Sequence, residues 1–391
     1  MSGRYSVVWD ESALGYDLGE QHPLHPVRLD LTMRLCRALG VLDGVEPVVP
    51  EPATEEDLLR VHSREFLDAV AAAPTAARDV GHGLGTADNP IFDRMHEASA
   101  LVAGGSIAAA EQIVSGGADR AVSIAGGLHH AMADRAAGFC VYNDCSAAIA
   151  WMLDKGVERV AYLDADVHHG DGVQAAFYDD PRVLTISLHQ HPITLWPGTG
   201  FASEVGGAGA EGKAVNVALP PGTDDAGWQR AFHATVPSLL ESFRPQVLVT
   251  QCGADAHRED PLADLAMSVD GQRAAYRAMR DMAREYAGGK WLALGGGGYS
   301  LFRVVPRAWT HLIATVLDRD LDPWTSVPAG WAAHALQVAG NTALPTVLTD
   351  ERDPSFTRWD GVTASTLDTS IRDARRAVFP LHGLDPLDSR D

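Results

Sequence analysis

Short apolar runs alternate with longer helical patterns along most of the chain. The runs are rich in leucine and β-branched residues and end at glycine or polar residues, which is typical of strands buried on both faces. Strands are predicted within 120–127, 159–166, 182–189, 246–253 and 290–298. Helices are predicted at 96–116, 224–243, 268–288 and 366–380. Strands that alternate with helices indicate right-handed crossovers and a mainly parallel sheet.

Polar segments follow directly after every one of these predicted strands. In chain order they are GGLHHA, DADVHHGD, SLHQH, CGADAHREDP and GGGGYS. Ligands of open α/β sheets bind beyond the carboxyl ends of the strands. We therefore expect these segments to converge on one rim of the sheet and to form a single polar site there.

Asp166, His168 and Asp255 are candidate ligands of a divalent cation. Asp166 and His168 are two positions apart, so on an extended backbone both side chains would point to the same side. Two carboxylates and one imidazole leave coordination positions open, as in a catalytic zinc site, and such ligands also suit Fe²⁺ or Mn²⁺. A single aspartate after a strand usually caps a loop or helix, but a buried cluster would be too costly without a metal.

Asp164 and Asp171 lie in the same motif and need roles of their own. Histidines that bind metals or transfer protons require carboxylates that fix their tautomer and orientation. His129 and His130 follow a Gly-Gly turn at a strand end, so we predict two Asp–His pairs. An adjacent pair of histidines is weak evidence on its own, since most such pairs are packing or surface residues.

Composition narrows the class of protein. With 391 residues, of which 46% are hydrophobic, the chain can bury a sizeable core. Its formal net charge of −21 argues against nucleic-acid binding and suits a cationic partner, although acidity also simply promotes solubility. The four cysteines show no CxxC spacing, which favours a reducing cytoplasm. We expect no secretion signal in 1–12 and no membrane span.

The chain resembles zinc-dependent histone deacetylases in a series of signature blocks, and most closely bacterial acetoin-utilisation (AcuC-type) deacetylases. In chain order these blocks are GGLHHA, GFCVYND, DADVHHGDG, SLHQ, WPGTG, CGADAHREDPL and LGGGGYS. The resemblance covers roughly residues 5–315, and the segments 22–31 and 83–93 share it. It implies the arginase/deacetylase fold, an α/β fold with an eight-stranded, mainly parallel sheet flanked by helices. One deacetylase domain would span residues 1–391, with 316–391 as a C-terminal extension packed on it.

The resemblance also implies catalytic roles for single residues. His130, paired with Asp171, would be the general base, and His129, paired with Asp164, its companion. The hydroxyl of Tyr299 would polarise the acyl carbonyl of the substrate. The four glycines before Tyr299 would let the loop turn tightly and bring the phenol close to the metal.

Metal and potassium sites follow from the same resemblance. Zn²⁺, or alternatively Fe²⁺, would be held by Asp166, His168 and Asp255. The family also binds K⁺, and one such site corresponds to Asp164, Asp166, His168, Ser187 and Leu188. Part of a second potassium site corresponds to Phe177, Asp180 and Val183.

Substrate-binding residues are implied as well. The walls of an acyl-lysine tunnel, its rim, its glycine loop and the internal cavity beneath the metal correspond to Asp88, Gly138, Phe139, Trp196, Gly297 and Arg28. The family usually has a second phenylalanine where this chain has Trp196. That difference reshapes the tunnel and leaves the preferred acyl chain open.

The expected activity is hydrolysis of acetyl or other acyl groups from lysine side chains of proteins, with an acetyl-CoA synthetase as one candidate substrate. The alternative is an acetylpolyamine amidohydrolase, which applies the same chemistry to a free amine. An arginase-like enzyme with two manganese ions would need a carboxylate at position 257, where His257 stands. A non-catalytic acyl-lysine binder would need neither His130 nor Tyr299.

Overall fold

A parallel β-sheet runs through the middle of the protein, in a computed structural model that describes residues 3–76, 80–340 and 342–391. Its strands are β1 (Tyr5–Val7), β2 (Arg120–Ser123), β3 (Val160–Asp164), β4 (Val183–Gln190), β5 (Ala214–Leu219), β6 (Val247–Gln251) and β7 (Trp291–Leu294). Their order across the sheet is β1-β2-β7-β6-β3-β4-β5, and every pair of neighbours is parallel.

Helices cover the sheet and extend beyond it. They are α1 (Val27–Ala38), α2 (Glu55–Leu59), α3 (Arg64–Ala72), α4 (Met95–Val114), α5 (Asp144–Asp154), α6 (Asp171–Ala176), α7 (Asp225–Phe243), α8 (Val269–Tyr286), α9 (Val305–Val316), α10 (Ala329–Ala339) and α11 (Thr366–Val378). Short 3₁₀ turns lie at Glu11–Gly15, Ala73–Thr75 and Phe379–His382. No helix in the described part of the chain has both the length and the apolarity that a membrane crossing requires.

Both faces of the sheet are buried, which explains the continuous apolar runs of its strands. Along β3, Ala161 and Leu163 belong to the core shared with α1, α7, α8 and α9. Val160 and Tyr162 belong to the opposite core, shared with α4 and α5. Successive side chains of a strand thus pack alternately against the helical layers on the two faces of the sheet, and the result is the predicted α/β architecture.

The expectation of eight strands is corrected to seven among the described residues. Beyond β1, Val48 forms a single parallel bridge with Val8 and does not extend into a strand. Pro47 and Pro50 flank this position, and proline has no backbone N–H with which to continue a ladder. The sequence-based assignment also missed β1, which has only three residues, and β5.

The order of the strands creates a crevice at the centre of the sheet. From β3 the chain proceeds outward to β4 and β5, whereas β6, the other neighbour of β3, leads to β7 on the opposite side. Asp164 pairs with Gln251 at the ends of β3 and β6, so the two strands stop at the same level. Such a switch point is where open α/β sheets bind ligands.

The C-terminal extension packs on the same body of structure. Helix α10 lies against α1, and α11 lies against α7 and β5. Arg375 of α11 is buried, stacks between Trp359 and Phe379, and donates hydrogen bonds to the backbone carbonyls of Ala234 and Asp388. The last residues of the chain are therefore tied to α7.

Acid should destabilise the fold through His62, which is buried between two loops. Its Nδ1 lies 2.9 Å from the carbonyl oxygen of Met132, and its Nε2 accepts the backbone N–H of Asn143 at 3.0 Å. Burial lowers the pKa of His62 to about 4. The unfolded chain, with a histidine pKa of ~6.5, then binds more protons than the folded protein as the pH falls between these values.

We expect this histidine to contribute a loss of ~2 kcal/mol in the free energy of unfolding between about pH 7 and about pH 5. Urea unfolding of the parent and of His62→Gln at both pH values measures it. The variant should lose correspondingly less stability than the parent over this range. Equal losses in the two proteins would contradict a buried, neutral His62.

Candidate active site

Asp166, His168 and Asp255 meet at the carboxyl ends of β3 and β6. Their ligand atoms all lie within 4.8 Å of one another, and all three residues are buried. The extended backbone expected at 166–168 is absent, because β3 ends at Asp164 and the chain bends. The bend is held by Asp166 Oδ1, which accepts the backbone N–H of His168 at 3.0 Å, and by Asp255 Oδ1, which accepts that of Val167 at 3.0 Å.

Both oxygens of Asp166 accept hydrogen bonds from the protein, whereas one oxygen of Asp255 accepts none. Asp166 Oδ2 accepts the backbone N–H of Gly297 at 2.8 Å and the amide of Gln251 at 2.7 Å. Asp255 Oδ2 is buried with no hydrogen-bond partner, and His168 Nδ1, 3.3 Å away, is not aligned to donate to it. An unpaired buried carboxylate oxygen is costly. A divalent cation would remove that cost, so these residues fit a metal.

Electrostatics support the same assignment. Burial, followed by the nearby charge of Asp166, raises the pKa of Asp255. Two buried carboxylates this close repel one another unless positive charge lies between them. Oxygen and imidazole donors accept Zn²⁺, Fe²⁺ and Mn²⁺ alike, so the choice among these ions is not made by the donor atoms.

Both predicted Asp–His pairs lie within hydrogen-bond distance, beside the three ligands. His129 Nδ1 is 2.7 Å from Asp164 Oδ2, and His130 Nδ1 is 2.6 Å from Asp171 Oδ1. The Nε2 atoms of the two histidines are 2.9 Å apart. Tyr162 donates its hydroxyl to Asp164 Oδ2 at 2.7 Å, a contact that the sequence-based analysis did not include.

The surroundings shift the pKa values of the two imidazoles in opposite directions. Burial, together with the positive charge of His129, lowers the pKa of His130 to about 4 despite Asp171. Burial also acts to lower the pKa of His129, but Asp164 and Asp166 outweigh it and raise that pKa to about 9. A bound cation would lower both pKa values through its own charge. The lowered pKa favours the neutral form of His130, with Nδ1 toward Asp171 and Nε2 toward His129.

Two residues at the start of α5 hold the loop that carries these histidines. Asp144 accepts the backbone N–H of Gly127 at 2.9 Å. Asn143 donates from Nδ2 to the carbonyl oxygens of His129 at 3.2 Å and Ala131 at 3.0 Å. Asn143 also caps α5, so its sequence signal is that of an ordinary helix start, and neither residue was among the predicted site residues.

The glycine loop after β7 passes directly behind the ligands. A Cβ atom at Gly297 would lie 1.9 Å from Asp255 Oδ2, so any other residue would displace the ligand. Arg28 is buried beneath this loop and donates to the carbonyl oxygens of Gly296 at 2.7 Å and Gly298 at 3.3 Å. Its guanidinium also lies over the ring of Trp309. Arg28 thus supports the loop from the side opposite the ligands.

Tyr299 follows the glycine loop and faces the same space. Its backbone N–H donates to Asp260 Oδ2 at 2.8 Å, and its ring packs edge-on against Phe139, with centroids 5.7 Å apart. Burial raises the pKa of Tyr299 well above its ordinary value, so the phenol keeps its proton. Asp260 was not among the predicted site residues, because its only sequence signal is one more aspartate after Asp255.

A narrow pocket of about 310 Å³ leads from the surface to this cluster. It is lined by Asp88, His130, Gly138, Phe139, His168, Leu195, Trp196, Leu262 and Tyr299. The ring of Trp196 packs edge-on against His130, with centroids 4.6 Å apart, while Asp88 is exposed at the mouth. Leu195 and Leu262 are additional wall residues. A larger cavity of about 670 Å³ lies between α7, α8 and the C-terminal extension, and it shares no lining residue with the pocket that leads to the cluster.

The residues assigned to potassium lie near the cluster and remain predictions. Ser187 of β4 pairs with Asp164 of β3, which places it next to the ligand-bearing segment. Phe177, Asp180 and Val183 form a turn after α6, in which the carbonyl oxygens of Phe177 and Asp180 accept backbone N–H groups. No contact of these residues distinguishes a potassium site from an ordinary turn.

Comparison with known proteins gives a consistent result. A family model described as the histone deacetylase domain matches residues 22–316. The acetoin utilization protein AcuC of Bacillus subtilis (strain 168) is 38% identical over 350 residues, which cover 88% of this chain and 90% of that protein. AcuC of Staphylococcus aureus (strain MSSA476) is 35% identical over 324 residues, covering 82% and 83%.

Solved structures agree with these sequence matches. A crystal structure of an HDAC homolog from Aquifex aeolicus has a TM-score of 0.81 at 28% identity and covers 95% of this chain and 99% of its own. A crystal structure of an HDAC homolog complexed with SAHA has a TM-score of 0.82 at 29% identity, with the same coverage. The predicted fold class is thereby confirmed, and the chain belongs to the histone deacetylase family, with AcuC-type proteins among its relatives.

Proposed function

We propose that the protein is a metal-dependent deacetylase that hydrolyses the acetyl amide of acetylated lysine side chains in proteins. The observation that carries the proposal is the unpartnered, buried Oδ2 of Asp255. It lies 3.3 Å from Nδ1 of His168, which lines a pocket with aromatic walls. Asp166, His168 and Asp255 would hold a cation, which we take to be Zn²⁺ with Fe²⁺ as the alternative. When bound, it would supply Lewis-acid polarisation of the amide carbonyl and of water.

The walls of the pocket suit the aliphatic stem of a lysine. Phe139 and Trp196 supply apolar surface, and such surface favours burial of the methylene chain while the amide reaches the floor. Gly138 keeps the passage open, because a Cβ atom there would lie 2.5 Å from both His130 and Trp196.

His130 is the proposed general base. Its Nδ1 donates to Asp171, and Nε2, which lies 2.9 Å from Nε2 of His129, would take the proton of the attacking water. The negative charge of Asp171 stabilises the imidazolium that results. Asp164 and Asp166 raise the pKa of His129 against the effect of burial and favour its protonated form. A ring that already holds a proton is less able to accept another, so the proposed contribution of His129 is to orient His130.

Tyr299 is the proposed donor to the oxyanion. Its hydroxyl stays protonated because burial raises the pKa, and it faces the pocket in which the acyl carbonyl would lie. The carbonyl oxygen gains full negative charge only when the tetrahedral intermediate forms. The hydrogen bond therefore stabilises the transition state more than the bound substrate.

The lining of the pocket favours a peptide substrate over a free polyamine. Leu195 and Leu262 are apolar, and Asp88 at the mouth is its only carboxylate among the described residues. A second ammonium inside the pocket would therefore lie unpaired. Asp88 together with the net charge of −21 keeps an acetylpolyamine as the second candidate. Values of kcat/KM for an acetyllysine peptide and for acetylputrescine decide between them, and faster turnover of acetylputrescine would reject the first.

Potassium ions, a protein substrate and a reducing compartment also belong to the proposed function. K⁺ would occupy the sites at Ser187 and at Asp180, and an acetylated acetyl-CoA synthetase is one candidate substrate. All four cysteines are buried and free, as expected of a protein in a reducing cytoplasm. An arginase-like second metal is disfavoured because His257, at the position that would need a carboxylate, is directed at Asp350, 2.7 Å away.

Metal content should depend on Asp255. Asp255→Ala removes one of three protein ligands, so we expect the variant to lose most of its metal and its activity. Elemental analysis of purified protein measures the first effect. Asp264→Ala, which removes an exposed carboxylate from the same loop, should retain both metal and activity. A full metal complement in Asp255→Ala would refute the ligand assignment.

Replacing His130 should reduce kcat more than replacing His129. His130→Ala removes the proton acceptor, whose role is typically worth ~10²–10⁴ in rate, whereas His129→Ala removes only an orienting partner. Steady-state kinetics on an acetyllysine peptide, with metal content verified in both variants, makes the comparison. The opposite ranking with intact metal sites would make His129 the base.

Tyr299→Phe should keep the fold and the metal but lose ~10²–10³ in kcat, the usual effect of removing one donor to an oxyanion. The loss should fall mainly on kcat, since the bound ground state makes little use of the hydroxyl. Tyr286→Phe, at the half-buried last residue of α8 and outside the pocket, is the matched control and should be nearly silent. A Tyr299→Phe variant within about threefold of the parent rate would exclude this role.

A further inference from the structure

We infer that Asp350, in the C-terminal extension, is a positioning residue for the metal site and acts through His257 on the loop 254–262. The inference rests on the proposed function, because this loop carries the ligand Asp255. Asp350 lies beyond residues 22–316, which match the histone deacetylase domain. The extension would therefore take part in the site as well as in packing.

The carboxylate of Asp350 joins three separate elements. Its Oδ2 accepts Nε2–H of His257 at 2.7 Å and the backbone N–H of Val269, the first residue of α8, at 2.9 Å. Its Oδ1 lies 2.9 Å from Nη1 of Arg307 in α9. His257 and Arg307 are both buried, and Asp350 is the carboxylate that each of them contacts. Arg307 also donates to the carbonyl oxygens of Arg303 and Thr349.

His257 is held in one orientation by its two ring nitrogens. Nδ1 accepts the backbone N–H of Glu259 at 3.0 Å, which leaves the proton on Nε2 for donation to Asp350. The carbonyl oxygen of His257 accepts the backbone N–H of Asp260 at 2.9 Å. Side chain and backbone of His257 thus fix the turn that follows Asp255.

The loop 254–262 bears on the site at three points. Asp255 supplies a ligand, Asp260 accepts the backbone N–H of Tyr299, and Leu262 lines the pocket. A shift of this loop would move all three together. An anchor at His257 therefore affects metal affinity and turnover more directly than an anchor elsewhere in the extension would.

Asp350 is itself held in place by α8. Asp270 Oδ2 accepts the backbone N–H groups of Asp350 at 3.0 Å and Arg352 at 3.1 Å, and both of its oxygens lie 2.8 Å from the hydroxyl of Thr349. These bonds fix the backbone of residues 349–352. The carboxylate is therefore presented to His257 from a rigid support, which is the property that a positioning residue requires.

The test compares Asp350→Asn with Asp368→Asn. Asp368 is the matched control, since it is a buried aspartate of the same extension that accepts hydrogen bonds from an arginine, Arg230, and from a backbone N–H. None of these partners belongs to the metal site. Zn²⁺ affinity is measured by competition with a chromophoric chelator. Steady-state kinetics on an acetyllysine peptide and thermal unfolding of the apo-proteins complete the comparison.

We expect Asp350→Asn to weaken Zn²⁺ binding by about tenfold or more and to reduce kcat more than it raises KM, as partners that orient ligands commonly do. Asp368→Asn should lower the melting temperature yet leave Zn²⁺ affinity and kcat within about twofold. Zn²⁺ affinity and kcat of Asp350→Asn within twofold of the parent would overturn the inference.

A second variant covers the case in which Asp350→Asn does not fold. His257→Gln cuts the same link while leaving Asp350 with Arg307 and Val269, and it should weaken Zn²⁺ binding to a similar degree. Unchanged Zn²⁺ affinity in His257→Gln would equally overturn the inference. Because Zn²⁺ affinity is measured without substrate, the result stands apart from the proposed activity, which fails only if the parent itself hydrolyses no acetyllysine.

Discussion

The repulsion between two buried carboxylates, Asp166 and Asp255, is the constraint on which the rest of the site depends, because the surrounding groups must compensate it. Asp166 Oδ2 accepts hydrogen bonds from a backbone N–H group and from Gln251, and Asp255 Oδ1 accepts one from a backbone N–H group. Asp255 Oδ2 has no partner. The sheet makes this arrangement feasible, because β3 and β6 end at the same level and present the N–H groups of the following turns to one point. The absence of a side chain at Gly297 leaves room for it.

The two Asp–His pairs differ in how far the histidine compensates the negative charge of its aspartate. Asp164 and Asp166 raise the pKa of His129 and favour its protonated form, which compensates Asp164, whereas burial and the charge of His129 lower the pKa of His130 and favour its neutral form beside Asp171. Transfer of a proton to His130 then completes the second ion pair instead of creating an isolated charge. The opposite pKa shifts therefore follow from the carboxylates around His129 and from burial and the neighbouring charge of His129 at His130.

Much of the fold could be predicted from the sequence, because strands buried on both faces are continuous apolar runs and polar motifs follow them at one rim. The chain could not reveal β1, which is too short for a pattern, or the loss of an eighth strand next to Pro47. Within the site, the residues that belong to the motifs after the strands could be predicted from the sequence. Asn143 and Asp350 could not, because one has the signal of a helix cap and the other acts across a long sequence separation.

The prolines beside Val48 have a consequence for how the molecules meet one another in solution. An open sheet edge is a row of unpaired donors and acceptors to which a strand of another chain can add. At the β1 edge, Val48 occupies the backbone groups of Val7 and Trp9, and Pro47 and Pro50 offer no N–H for a further strand. This edge therefore resists strand addition between copies, the route by which exposed sheets aggregate.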